Sequence, residues 1–159
     1  MMVDIIHVLY VDIELGLLEI AKLYLEESGE FSVTTIDSAI AALGLLENEK
    51  FDAIISDYQI PEMDGIEFLD EVRKRFGKIP FILFTGKGRE EVVIQAINNR
   101  ADFYLQKGGE PGSQFAELSH KIRSATFKKR ADEKFLYINR LYSILSQINQ
   151  AMKRGILTI

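Results

Sequence analysis

Four side chains suited to phosphate or metal chemistry each follow a short apolar run. Asp12 closes residues 5–11, Asp57 follows Ala53-Ile54-Ile55-Ser56, Thr85 follows Phe81-Ile82-Leu83-Phe84, and Lys107 follows residues 102–106. Runs of this length between turn signals read as buried strands. After Asp57 come Pro61 and Asp64-Gly65, which signal a loop, and then a helical pattern. An acid placed where a buried strand meets a loop lies at the carboxyl edge of a sheet, the edge where open α/β folds bind ligands. Asp57 therefore reads as the reactive residue. Asp12 and Asp57 together can hold a hard cation such as Mg²⁺, which prefers oxygen ligands and keeps several waters. A carboxylate can attack phosphorus and form an acyl phosphate. Thr85 can donate a hydroxyl to the new phosphoryl oxygens, and Lys107 can bring a point charge to them. Singly, a strand-end Asp is usually a cap and a Lys after a strand usually faces water. Four such residues on four strand ends carry the signal.

The elements that position these residues alternate. Strands are expected at residues 5–11, 31–36, 53–56, 81–84 and 102–105. Helices are expected at 14–28, about 38–49, 65–76, 89–98 and from about 112 onward. The inward positions expected on the helices include Leu15, Leu18, Ala21 and Leu25, then Ile40, Leu43 and Leu46, then Ile66, Leu69 and Val72, and then Val92, Val93, Ala96 and Ile97. The first strand is expected to be buried on both faces. Asp37-Ser38 is a candidate cap and Gly29 a candidate stop. Five alternations predict an α/β fold with a parallel sheet covered by helices on both faces.

These pieces resemble the receiver domain of two-component response regulators. The resemblance rests on Val8-Leu-Tyr-Val-Asp12, on Asp52-Ala-Ile-Ile-Ser-Asp57 with Pro61-Glu-Met-Asp-Gly65, on Ile79-Pro-Phe-Ile-Leu-Phe-Thr85 and on Ala101-Asp-Phe-Tyr-Leu-Gln-Lys107, and it spans about residues 5–125. It implies a flavodoxin-like (βα)5 fold with strand order 2-1-3-4-5. By the resemblance Asp57 is the phosphoacceptor, Asp12 belongs to the acidic metal site, and the main-chain carbonyl of Gln59 is a metal ligand. Thr85 is the hydroxyl switch, Tyr104 the switch aromatic and Lys107 the phosphoryl-contacting lysine. The cofactor is Mg²⁺ and the partner a histidine kinase.

Two positions depart from the family. Ile13 stands where a second acid usually ligates Mg²⁺ directly, with Glu14 one residue later as a possible substitute ligand. The departure favours weakened metal binding, or a pseudo-receiver that serves as an interaction module without phosphorylation. Gly108 stands where a proline with a cis peptide is common, so a differently shaped and more mobile loop is expected after Lys107. A phosphatase of the haloacid dehalogenase type also attacks from a strand-end Asp, but it needs a second acid where Gln59 stands. A turnover enzyme is therefore not expected.

The composition is globular, 47% hydrophobic and 27% charged, with no cysteine for a disulfide or thiolate site. No segment approaches the roughly 18 apolar residues of a membrane span. The start lacks the features of a signal peptide, and a cytoplasmic protein is expected. His7 and His120 have no partners at ligand spacing. Residues 1–112 carry 10 Lys and Arg against 21 Asp and Glu, a net −11, whereas residues 113–159 carry 9 against 3, a net +6. A receiver domain over 1–125 is expected, followed by a helical linker or coiled-coil extension over 126–159. Ile138, Leu141, Leu145, Ile148 and Met152 step by three and four, widened by Phe135, Tyr142 and Ala151. Such a stripe wants a partner: a coiled-coil mate, a following domain, or its own domain if it folds back. A homodimer through this helix or through the surface of helix 4, strand 5 and helix 5 is expected. The basic run Lys128-Lys129-Arg130 lies in a single helix, with no room for a helix-turn-helix. The apolar end, Gly155 to Ile159, suggests a piece of a longer signalling protein.

Overall fold

The computed structural model describes residues 4–86 and 90–156. Five strands alternate with five helices: β1 (Ile6–Val11), α1 (Leu15–Glu27), β2 (Phe31–Ile36), α2 (Ala39–Asn48), β3 (Ala53–Ser56), α3 (Gly65–Phe76), β4 (Phe81–Thr85), α4 (Glu90–Asn98), β5 (Phe103–Gln106) and α5 (Pro111–Lys153). All neighbouring strands pair in parallel, in the order β2-β1-β3-β4-β5. The flavodoxin-like arrangement expected from the sequence is the one observed. The expected helix start at Arg89 and the apolar end at residues 157–159 lie outside the described residues, as do residues 1–3.

The central strands explain the apolar runs. Every residue of β3 and β4 is buried, because helices cover both faces of a parallel sheet. One layer of core gathers Leu9, Val11, Ile54, Phe81 and Leu83 with α2, α3 and α4. The other gathers Val8, Tyr10, Ile55, Ile82 and Phe84 with α1 and with Phe115, Leu118 and Ile122 of α5. Period-two alternation sends successive side chains of one strand to opposite layers.

Several expectations need correction. Leu15, Ile40 and Ile97 face solvent, at 64, 49 and 66% exposure. In α2 the buried stripe is Ala39, Ala42, Leu43 and Leu46. Ile40 sits one residue, about 100° of helix rotation, away from it. In β1, His7 is exposed between buried neighbours. Strand β5 begins at Phe103 rather than Asp102; the Asp102 amide donates to Phe81 O at 2.9 Å, while its carboxylate accepts the amide of Phe81 at 2.7 Å and pairs with Arg73.

Local signals that position the site hold up well. Ser38 caps α2 by accepting the amide of Ala41. Asp64 caps α3 by accepting the amides of Ile66 and Glu67, while the Glu67 carboxylate accepts the amide of Asp64, a complete capping box. The chain divides into two units, one ending at Thr126 and the other starting at Phe127. Helix α5 contributes residues to each unit. No helix of the described residues is long and apolar enough to cross a membrane.

Candidate functional site

The sheet ladder continues one residue past three strands at the carboxyl edge, and those residues are the ones singled out by sequence. The Asp12 amide donates to Ile36 O at 3.1 Å, the Asp57 amide to Val11 O at 2.9 Å and the Lys107 amide to Thr85 O at 2.7 Å. The sheet therefore fixes their main chains independently of their side-chain contacts. Their side chains then meet. Lys107 Nζ lies 2.7 Å from Asp12 Oδ2 and 3.0 Å from Asp57 Oδ2. Glu14 Oε2 is farther, at 3.8 Å from the same ammonium, on a side chain 61% exposed. The lysine side chain is only 14% exposed, and the Asp12 side chain is fully buried.

The second oxygen of each acid is also engaged. Asp57 Oδ1 accepts the amide of Tyr58 at 2.7 Å, and Asp12 Oδ1 accepts the amide of Glu14 at 3.0 Å. Burial pushes the Asp12 carboxyl above the usual carboxylate range, against the pull of the Lys107 hydrogen bond and the Glu14 amide. Burial by itself would lower Lys107. The hydrogen bonds and charges of Asp12 and then Asp57 outweigh it, so the ammonium is held above its ordinary range. The ring of Phe84 lies 5.9 Å from that ammonium and adds a weak cation–π contact.

Thr85 is 2% exposed at the end of β4, one strand over from Asp57. Tyr104 is half-buried on β5 and packs against the α3–α4 side of the core. Gln59 is exposed in the loop after Asp57, and Ile13 is 47% exposed beside Asp12. The structure thus brings Asp12, Asp57 and Lys107 into contact and Glu14 close to them. It sets Thr85 on the neighbouring strand end.

Sequence reasoning passed over several contributors. Gly65 packs so closely that a Cβ there would stand 2.2 Å from the Asp57 carbonyl oxygen. Its amide donates to Tyr58 O at 2.8 Å, which folds the loop back under the acid. Glycine is required by this approach, whereas the Asp-Gly pair read only as a turn. The buried Ser56 hydroxyl donates to Asp57 O at 2.8 Å. Tyr10 is fully buried, stacked edge-on to Phe84, and its hydroxyl has no partner among the described residues. Burial, followed by the charges of Asp12, Asp57 and Glu14, pushes that phenol up, so it stays neutral. An aromatic within a mostly aliphatic apolar run was the available signal for Tyr10.

The donor set fits Mg²⁺. Two carboxylate oxygens converge on one cation, and two acids against one ammonium leave the cluster net negative. Mg²⁺ is commonly held by one or two carboxylates plus waters. Among the described residues no group of three His, Cys, Asp or Glu side chains gathers as a metal site. Asp12 and Asp57 share the Lys107 ammonium at hydrogen-bond distance, and Glu14 stands 3.8 Å from it.

Known proteins carry the same framework. The response regulator receiver domain family matches residues 8–119, more than half of the chain. This chain belongs to that family. Among curated relatives, the response regulator SaeR of Staphylococcus aureus is 35% identical over 105 residues, which is 66% of this chain and 45% of SaeR. The chain thus matches less than half the length of that relative. Among solved structures, a response regulator receiver domain protein from Clostridium thermocellum is 29% identical with a TM-score of 0.72, covering 80% of this chain and 98% of that one. A CheY-like receiver domain protein from Methanospirillum hungatei is 26% identical with a TM-score of 0.70, covering 79% and 99%. Receiver domains are signalling modules that work with histidine kinases, and they generally bind Mg²⁺ at an acidic site.

Proposed function

We propose that this chain accepts a phosphoryl group on Asp57 from a partner histidine kinase and responds by changing an interaction surface. The observation that carries the reading is the ammonium of Lys107 shared by Asp12 and Asp57, three residues from three strand ends. An oxygen of Asp57 attacks the phosphorus of a phosphohistidine. The P–O bond forms as the P–N bond breaks, and its electron pair leaves with the imidazole. Both oxygens of Asp57 are hydrogen-bonded at rest, so Lys107 must release Oδ2 and follow the charge to a phosphoryl oxygen. Asp12, Asp57 and the Gln59 carbonyl would hold Mg²⁺, which when bound screens the charge of the incoming group. Thr85 donates to a phosphoryl oxygen, and Tyr104 moves with it. A doubly charged group at this loop cluster is the driver.

Ile13 takes no part as a ligand, so the site holds Mg²⁺ less tightly than one with a third acid. Residues 1–125 form the signalling domain, and 126–159 form a linker that pairs with a second copy, alone or with the surface of α4, β5 and α5. The chain works in the cytoplasm and does not itself bind nucleic acid or membrane. Beryllium fluoride with millimolar Mg²⁺ mimics an acyl phosphate and should change tyrosine fluorescence or oligomeric state. No response under those conditions would count against the reading. The pseudo-receiver reading draws its support from Ile13. It predicts that Asp57→Asn leaves partner binding untouched.

A further inference from the structure

The segment that presents Lys107 is short of constraint on one side. Pairing of β5 with β4 ends at Gln106 opposite Thr85, and the Lys107 amide makes the last sheet bond. Gly108 and Gly109 follow, with φ of 119° and 92°. No cis peptide occurs among the described residues, so the Lys107–Gly108 bond is trans. Two glycines in succession leave the backbone many alternative conformations. A lysine on such a loop would lose its aim at two carboxylates unless something held it.

Gln114, in the first turns of α5, supplies the constraint. Its side-chain amide donates to Gln106 O at 3.1 Å and to Gly108 O at 2.9 Å. Both hydrogens of the NH₂ group are used, and the two carbonyls are those on either side of Lys107. The platform beneath Gln114 is itself fixed. Glu110 accepts the amides of Gly112 and Ser113 and the Ser113 hydroxyl, and the Gln114 amide donates to Glu110 O at 3.1 Å.

We propose that Gln114 is a positioning residue for Lys107, clamping the carbonyls that flank it so that the ammonium stays aimed at Asp12 and Asp57. The effect on phosphoryl chemistry rests on the phosphoacceptor reading above. The clamp itself does not. With two hydrogen bonds removed, Gln114→Ala should weaken the Mg²⁺-dependent binding of beryllium fluoride about tenfold. Gln114→Glu has no donor for the two carbonyls and should weaken it at least as much.

The test uses the full chain as wild type, Gln114→Ala, Lys107→Ala and the double variant. Beryllium fluoride affinity is read by tyrosine fluorescence, and hydrogen exchange is followed at the Lys107 amide, which bonds to Thr85 O. If Gln114 acts through Lys107, its removal adds nothing in the Lys107→Ala background. In Gln114→Ala the exchange of the Lys107 amide should quicken while the melting temperature stays near wild type. Equal weakening in both backgrounds, or unchanged exchange, overturns the proposal. If wild type binds no beryllium fluoride, the phosphoacceptor reading fails, and amide exchange alone decides for or against the clamp.

Discussion

Asp12 and Asp57 face one ammonium, and all three side chains are largely buried. Removing that ammonium leaves two carboxylates, one of them fully buried, without a counterion. We expect Lys107→Ala to cost about 3 kcal/mol of folding stability in denaturant titrations. Millimolar Mg²⁺ should recover part of the loss, because a ligand of the folded state stabilises it by mass action. A loss of stability that Mg²⁺ leaves unchanged would argue against metal binding between the two acids. Gly65 offers a second residue-scale prediction. A Cβ 2.2 Å from the Asp57 carbonyl oxygen cannot fit without a backbone shift. Gly65→Ala should therefore cost about 2 kcal/mol and slow phosphorylation of Asp57 as well. At this scale the three residues that meet, Asp12, Asp57 and Lys107, were legible in the sequence, since each followed an apolar run. Gly65, Ser56 and Gln114 were not. Their roles depend on distances between segments, and no local pattern encodes those.

Two helix ends carry the element-scale predictions. Arg73 near the end of α3 donates to Arg100 O from Nε and Nη2, to Gly77 O and Ile79 O from Nη1, and to Asp102 from Nη2. All five of its N–H groups are used, on a side chain 14% exposed. It fastens α3 to the start of β4 and to the turn before β5. Arg73→Ala should cost about 3 kcal/mol. Arg73→Lys should not restore it, because lysine has three donors and no planar fork. Glu110 at the start of α5 is held below its ordinary range by the Ser113 hydroxyl, the Ser113 amide and the Gly112 amide. A depressed carboxyl contributes stability that is present above its unfolded value of 4.5 and lost as pH falls through the lower folded value. Glu110→Gln should remove that acid-side loss in thermal scans, while Gly109→Ala should leave it in place. The helix caps were partly readable from sequence, as Ser38 shows. The inward faces were less so, because Leu15, Ile40 and Ile97 are apolar yet exposed. Apolar identity alone does not tell a core face from a surface that meets a partner.

At the scale of the whole molecule, the second unit is the outer part of α5, and its apolar stripe is open. Phe135, Leu141, Tyr142 and Leu145 are 64, 42, 70 and 57% exposed. Between Phe135 and Met152 the only charged residue is Arg140. A second copy would cover this face in the way of a coiled coil. Sedimentation should show a dimer for the wild type and a monomer for Leu145→Glu. A wild type that stays monomeric at high concentration would point to a different partner. The alternating order of elements and the parallel sheet were readable from sequence in full, since five strand–helix repeats admit few topologies. Phosphorylation of Asp57 can be read from the intact mass after incubation with acetyl phosphate and Mg²⁺. One added phosphoryl group is expected on the wild type, with none formed when Mg²⁺ is chelated beforehand and none on Asp57→Asn. An unmodified wild type, or equal modification of Asp57→Asn, would contradict it.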